Sequence, residues 1–190
     1  SYESCQEKDT GNTSAADCNG GTVADYDDII DVGIAYSGSF DGIDIGLTAG
    51  QVTGNTQILQ GVEYNDLDTQ IYSASLGFAG VSAHYKHMTY GDSGQLVSRT
   101  VDGDGEGTVY AIRYDLGNYS VGYVRTETSF KEGTNAAAST QEQDIFGVGY
   151  NLGGGVMIQA AHGNKEETDG SDSIKDTEAD VSILMLSFGF

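Results

Sequence analysis

Positive charge is scarce in this sequence, which has 8 Lys and Arg residues against 29 Asp and Glu residues among 190. The formal net charge is therefore -21 at pH 7. Nucleic acids and anionic lipid surfaces would repel such a chain, so neither is expected as a partner. Long apolar runs are also missing, because none approaches the roughly 18 residues that a transmembrane helix needs. A membrane protein of the helical class is excluded.

Cysteine occurs only as Cys5 and Cys18, in a polar and acidic stretch. Two sulfur ligands without a nearby histidine make a poor zinc site. We expect instead a disulfide that closes a surface loop, which implies an oxidising compartment. In the chain-entropy model a loop of this size gains about 3 kcal/mol of stability. Because an initiating methionine and a signal-like segment are missing, we expect a processed product or a piece of a longer protein.

Recognisable catalytic motifs are absent as well. The three histidines fall in no Ser-His-Asp or HExxH spacing, and the chain has no phosphate-binding loop. A hydrolase would have His162 as its one candidate base. We therefore expect neither an enzyme nor an organic cofactor.

The pattern that dominates the chain is alternation of apolar with small or polar residues, which is typical of β-strands. It occurs in nine segments: DDIIDVGIAYSGSF, GIDIGLTAGQ, DTQIYSASLGF, VSAHYKHMTY, TVYAIRYDL, YSVGYVRTETSF, QDIFGVGYNL, VMIQAAHG and ADVSILMLSFGF. Tight turns join them in pairs, with glycines Gly42, Gly80, Gly117 and Gly154 spaced 38, 37 and 37 positions apart. Long acidic connections alternate with these turns, so we expect tight turns at one end of a sheet and acidic loops at the other.

The two faces of these strands differ in composition. One is rich in large apolar residues, and the other holds small ones: Gly33, Ala35, Ser37, Gly46, Thr48, Ser73, Ser75, Ser120, Gly122, Gly147 and Gly149. A propeller blade needs four short strands per repeat, and the outward face of a soluble β-sandwich carries many charged residues. Here charges concentrate in the loops and aromatic residues mark the strand ends. This distribution is typical of an antiparallel transmembrane β-barrel with a lipid-facing band and a polar lumen.

The last strand carries the most specific signal. Leu184, Leu186, Phe188 and Phe190 alternate on its apolar face up to the final residue. This ending resembles the signature by which the barrel-assembly machinery recognises Gram-negative outer-membrane proteins. The stretches YDLGNYSVGY and YNLGGGVMIQAAHG resemble the last hairpins of general diffusion porins, especially the alphaproteobacterial, Rhodobacter-like type.

The resemblance implies an all-β barrel domain over residues 1–190 in a bacterial outer membrane, serving passive diffusion of small hydrophilic solutes and ions. Family porins have 16 strands, so the nine here resemble strands 8 to 16, the C-terminal half, with residues 1–26 in an extracellular loop. Implied partners are two further copies in a homotrimer, outer-membrane lipid, lipopolysaccharide and the assembly machinery. A tenth strand at Thr56–Tyr64 would instead make a small closed barrel, an adhesin or anchor with cation-binding acidic loops. A secreted calcium-binding β-protein is a third hypothesis.

The polar face of the strands offers candidate lumen residues. His84, Lys86 and Arg113 share this face, where a water-filled lumen is the consistent location for them. They either attract the anionic parts of solutes or pair with Asp115 or Asp44 and brace the wall. Arg125 falls on the other face near the loop end, where its side chain could extend to the membrane interface.

Acidic residues provide the candidate metal site. Asp102, Asp104 and Glu106 alternate with glycines as calcium ligands would, but lack the 12-residue spacing to a bidentate glutamate. The alternatives are a calcium site and a plain acidic hairpin tip. The acidic run from Glu166 to Asp180 is expected to be a solvated loop.

Overall fold

A computed structural model of the chain describes residues 26–56, 63–95, 97–98, 105–131, 138–168 and 175–189. These residues form nine β-strands in a single antiparallel sheet whose strand order follows the chain. The strands are β1 (Tyr26–Phe40), β2 (Ile43–Thr56), β3 (Leu67–Phe78), β4 (Val81–Gly91), β5 (Gly105–Leu116), β6 (Tyr119–Lys131), β7 (Ala138–Gly153), β8 (Val156–Thr168) and β9 (Lys175–Phe188). Among the described residues, no helix is long and apolar enough to cross a membrane. The prediction of an all-β antiparallel fold with nine strands is confirmed.

The tight turns lie where the glycines predicted them. Asp41 and Gly42 have φ values of 50° and 78°, and Ala79 and Gly80 have φ values of 49° and 83°. Two consecutive residues with positive φ form the type I′ turn, whose twist matches that of paired strands. These two-residue connections hold β3 to β4 in continuous register, and β1 to β2 in register from the turn as far as Ile30, beyond which the register shifts.

Several strands extend further towards the acidic loops than the alternation predicted. Glu142 in β7 is paired with Glu166 in β8, and Glu166 with Glu178 in β9. The loop predicted from Glu166 to Asp180 is therefore wrong for its described ends, which are strand. The hydrophobic period disappears there because both faces carry polar side chains, while the backbone ladder continues. Residues 169–174 lie outside the described residues.

Other predictions also fall partly outside the described part of the chain. Thr56 ends β2 and Tyr64 forms an isolated bridge, while residues 57–62 of the predicted tenth strand are not described. Cys5, Cys18 and the expected loop over residues 1–26, apart from Tyr26, are likewise outside it. The same holds for Phe190.

The register defines two faces. The pairs Ala35 with Thr48 and Thr48 with Ser73 lie on one side, which we call the small-residue face. The pairs Tyr36 with Leu47 and Leu47 with Ala74 lie on the other, the apolar face. All the small residues predicted to share a face do so, since paired residues of antiparallel strands point to the same side.

No second layer covers this sheet in the described residues, where no large side chain is fully buried. Instead, large side chains on the apolar face are exposed: Ile34 by 73%, Phe40 by 78% and Leu184 by 79%. Removing one such side chain from water is worth about 1.5–3 kcal/mol, so leaving a dozen exposed would cost on the order of 20–30 kcal/mol. This face requires an apolar surrounding, which argues against a soluble sandwich.

Pairs of aromatic rings lie at two levels of the apolar face. Tyr119 and Tyr150, next to the tight turns, have ring centroids 4.7 Å apart. Tyr85 and Tyr110, further towards the acidic loops, are 5.4 Å apart. Of the two pairs, Tyr119 and Tyr150 lie near the ends of their strands, as expected of an aromatic girdle at a membrane interface, whereas Tyr85 and Tyr110 lie near the middle of theirs.

Candidate functional site

Two depressions in the described part of the chain lie on the small-residue face. One has a volume of about 840 Å³ and the other about 420 Å³, and Arg113, Gly122 and Val124 line both. Most lining residues of each groove belong to the small-residue face, including Ser37, Ser75 and His84 in the larger one. Glycine, alanine and serine leave room there because their side chains are short. The sheet is therefore hollowed on the side opposite its apolar face.

All five predicted lumen residues lie on the small-residue face. On β4, His84 is paired with Ala111, and Lys86 with Val109. Arg113 is paired with Ser82, Asp115 with Ser120, and Asp44 with Gly77. The predicted placement of these side chains on one face is thus correct.

Arg113 and Asp115 form a bidentate ion pair along one edge of the larger groove. The Nε of Arg113 donates to Asp115 Oδ1 at 3.0 Å and to Oδ2 at 2.9 Å. Its Nη2 donates to Oδ1 at 2.7 Å. Of the two alternatives for Arg113, the structure contains the paired one, so its charge is largely neutralised within β5.

The same arrangement recurs elsewhere in the sheet. On the small-residue face, Lys165 Nζ lies 3.3 Å from Glu167 Oε2. On the apolar face, Arg125 Nε lies 2.5 Å from Glu127 Oε1. In each case a cation is followed by a carboxylate two positions along the strand, which places both on one face about 7 Å apart at their backbones. Sequence reasoning missed the pairs Lys165–Glu167 and Arg125–Glu127, although the spacing of two positions between cation and carboxylate signals them.

Lys86 and Asp44 differ from this arrangement. Neither forms an ion pair with any described residue. Asp44 leans over Gly77, where an added Cβ would lie 3.3 Å from Asp44 Cβ. Within the described residues, the uncompensated charges of the small-residue face therefore include the carboxylates of Asp31 on β1 and Asp44 on β2 and the ammonium group of Lys86 on β4.

The face becomes more apolar towards β9. Val181, Ile183 and Met185 lie on this side of β9 and are exposed by 56%, 58% and 49%. The polar and charged part of the larger groove accordingly lies over β1 to β5.

The predicted interfacial position of Arg125 is on the apolar face near the acidic loops, but its side chain is held by carboxylates. Besides Glu127, its guanidinium contacts Glu142 at 2.7 Å and Asp144 at 3.3 Å. Tyr123 donates a hydrogen bond to Asp144. Arg125, Glu127, Glu142 and Asp144 thus form a charged belt on the apolar face near the acidic loops, and their ion pairs connect β6 with β7.

His162 lies on the apolar face, where its Nδ1 is 2.9 Å from Ser182 Oγ. A serine and a histidine alone lack an oxyanion hole, which needs backbone N–H groups that point at a substrate. Here His162 lies in β8, which is paired on both sides, so its N–H is engaged in the ladder. The contact carries no catalytic assignment.

The candidate metal site is only partly described. Glu106 lies within β5, where Ser129 donates to its Oε1 at 3.2 Å, while Asp102 and Asp104 fall outside the described residues. No cluster of three or more His, Cys, Asp or Glu residues able to hold a metal occurs in the part that is described.

The terminal strand has the predicted orientation. Leu184, Leu186 and Phe188 face the apolar side, opposite Ala160, Ile158 and Val156 of β8. Their assembly role stays a prediction.

Comparison with known proteins gives one match. A model of the Gram-negative porin family matches residues 7–170 of the chain. No curated protein and no solved structure matches it.

Proposed function

Since the chain belongs to the Gram-negative porin family, we propose that it builds a water-filled channel for passive diffusion of small hydrophilic solutes and ions. Porins are β-barrel proteins of the outer membrane, and the strands cross it. Solutes would move down their own gradients, with size exclusion set by the width of the lumen.

The observation that carries this proposal is the contrast between the faces of one uncovered sheet. The apolar face exposes side chains such as Leu47, by 50%, and Ile112, by 52%. Directly behind them the small-residue face is hollowed and lined by serines and ionisable groups. Lipid suits the apolar face and water suits the small-residue face, whereas no single solvent suits both.

We assign the lumen wall to Asp44, His84, Lys86, Arg113 and Asp115. In this assignment Arg113 and Asp115 brace the wall as a neutral pair. Asp44 and Lys86 supply the charges that a passing ion meets. Around these residues, small side chains such as Ser73, Ser75 and Ala111 leave room for the passage, while the face becomes more apolar towards β9.

The sheet topology bears on how the barrel closes. In an antiparallel meander of nine strands, both edge strands, β1 and β9, run in the same direction. Closing it with antiparallel pairs throughout takes an odd number of further strands. Seven would give the 16-stranded porin barrel, in which these strands form the C-terminal half.

The remaining assignments follow from the same family membership. We propose a homotrimer in contact with outer-membrane lipid and lipopolysaccharide, with Leu184, Leu186, Phe188 and Phe190 read by the barrel-assembly machinery. Residues 1–26 would form an extracellular loop closed by a Cys5–Cys18 disulfide. Asp102, Asp104 and Glu106 would form either a calcium site or a plain acidic hairpin tip.

The test is single-channel conductance of the protein, purified in its native membrane form, in a planar bilayer. Steps in groups of three with closure at high voltage are expected for a trimeric porin. A silent bilayer containing folded, inserted protein would refute the channel and favour an anchoring or adhesive barrel.

A further inference from the structure

Lys86 stands out among the cations of the small-residue face. The Lys and Arg side chains described on this face are Lys86, Arg113 and Lys165. Two of them are each matched by a carboxylate two positions along the same strand. Lys86 is followed at that position by Met88 instead. Within the part of the chain that the structure describes, the cations on β5 and β8 are thus neutralised and the one on β4 has no carboxylate partner.

Among the described residues, the neighbours of Lys86 on this face include no carboxylate. Its neighbours on the face, from the register of β3, β4 and β5, are Ile71, Ser73, Ser75, His84, Met88, Gly107, Val109 and Ala111. Ser73 lies directly opposite Lys86, and Ser75 directly opposite His84. A positive charge with a hydroxyl beside it and an imidazole one step along the strand is a set of donors that lacks its acceptor.

From this arrangement we infer a subsite for a tetrahedral oxyanion, such as inorganic phosphate or a phosphate monoester, formed by Lys86, Ser73 and His84. This inference rests on the proposed channel, because the subsite lies on the face assigned to its lumen. Directly opposed residues on paired strands are about 5 Å apart, and alternate residues on one strand about 7 Å. Donors at these separations can converge on one anion at hydrogen-bond distance, and charge-assisted bonds to phosphate are the stronger kind.

The geometry also explains why the neighbouring cation does not serve equally. The guanidinium of Arg113 is already held by both oxygens of Asp115. An arriving anion would have to displace that carboxylate. Lys86 is half-buried and has no carboxylate partner within the described residues, so an anion can bind it without displacing one.

The experiment is a titration of the natively purified protein in detergent with inorganic phosphate at low ionic strength, followed by calorimetry. Lys86→Gln is expected to weaken phosphate binding about 10-fold, and Ser73→Ala about 3-fold, as loss of a charged and a neutral hydrogen bond predicts. Lys165→Gln is the matched control, since it removes a lysine from the same face whose charge is compensated. It is expected to change binding by less than about 2-fold. Lys86→Arg keeps the charge and is expected to retain most of the binding.

Equal losses for Lys86→Gln and Lys165→Gln would overturn the subsite, because binding would then follow the overall charge of the face. Absence of phosphate binding to the wild-type protein would do the same. Parallel bilayer recordings separate this result from the channel itself. Conductance without Lys86-dependent phosphate binding would support the channel and refute the subsite. Lys86-dependent phosphate binding by a protein that does not conduct would support the subsite and refute the channel.

Discussion

Replacing Asp115 by asparagine should turn a neutral pair on the lumen wall into a free positive charge. Asp115 and Arg113 are exposed by 47% and 59% at their side chains, so their ion pair contributes less than about 1 kcal/mol to stability and the variant should fold. An ion that passes about 7 Å from the unmasked guanidinium feels roughly 0.6 kcal/mol in water before screening. At 0.1 M salt, with a Debye length of about 10 Å, roughly 0.3 kcal/mol remains.

This energy has opposite signs for anions and cations, so the difference between them is about 0.6 kcal/mol. The permeability ratio of chloride to potassium should therefore rise about 3-fold in Asp115→Asn at 0.1 M salt. At 1 M salt, where the Debye length is about 3 Å, the change should shrink to roughly 1.2-fold. Reversal potentials in a KCl gradient across a planar bilayer measure the ratio directly.

Glu142→Gln is a closely matched control. Glu142 is also 47% exposed at its side chain and lies 2.7 Å from an arginine Nη2, as Asp115 does, but it is on the apolar face. The substitution changes the net charge by the same amount, and selectivity should stay the same. Equal shifts in the two variants, or a shift in Glu142→Gln alone, would refute the assignment of the small-residue face to the lumen.

Three further substitutions test the faces, a turn and the charged belt. Leu47→Arg should cost about 2–4 kcal/mol of folding free energy, measured by urea unfolding from lipid vesicles, because it places a charge in lipid. Thr48→Arg, on the proposed lumen side, should cost less than about 1 kcal/mol in the same assay. Similar costs for the two variants would contradict the assignment of the two faces. Gly80→Val should destabilise the β3–β4 hairpin by more than about 1 kcal/mol, because φ there is +83° and an added Cβ would lie 2.5 Å from the Asp115 carbonyl oxygen, and an unchanged melting temperature would show that the turn tolerates a side chain. Arg125→Met should cost about 1–3 kcal/mol in the same assay by leaving three neighbouring carboxylates without their cation, and no loss would mean that solvent already screens them.

The sequence predicted what depends on the period of two. Alternation such as Leu47 with Thr48 sets the face of every residue once the strand exists, so the alternation alone puts the candidate lumen residues on one face. Turn glycines such as Gly42 and Gly80 then fixed which strands are neighbours. Both signals depend only on residues that are close together in the sequence, so a single sequence is enough to recognise them.

Other features depend on the partner strand. The segments around Glu142, Glu166 and Glu178 show no alternation of apolar with polar residues. They are strand because their backbones pair with those of the neighbouring strands. The pairing of Arg113 with Asp115 required a choice between two acceptors, Asp115 and Asp44, which the strand assignment alone did not make. The neighbours of Lys86 among the described residues depend on the register of β3, β4 and β5, which no single strand specifies.

The most direct test of the account is a cysteine-accessibility scan along β2, in a background with Cys5 and Cys18 replaced by serine. Single cysteines at Ile45, Gly46, Leu47, Thr48, Ala49 and Gly50 would be treated with a charged, membrane-impermeant thiol reagent during bilayer recording. We predict that the reagent reduces conductance at positions 46, 48 and 50 and leaves positions 45, 47 and 49 unaffected. Block without this period of two, or block at the odd positions, would contradict a water-filled lumen on the small-residue face.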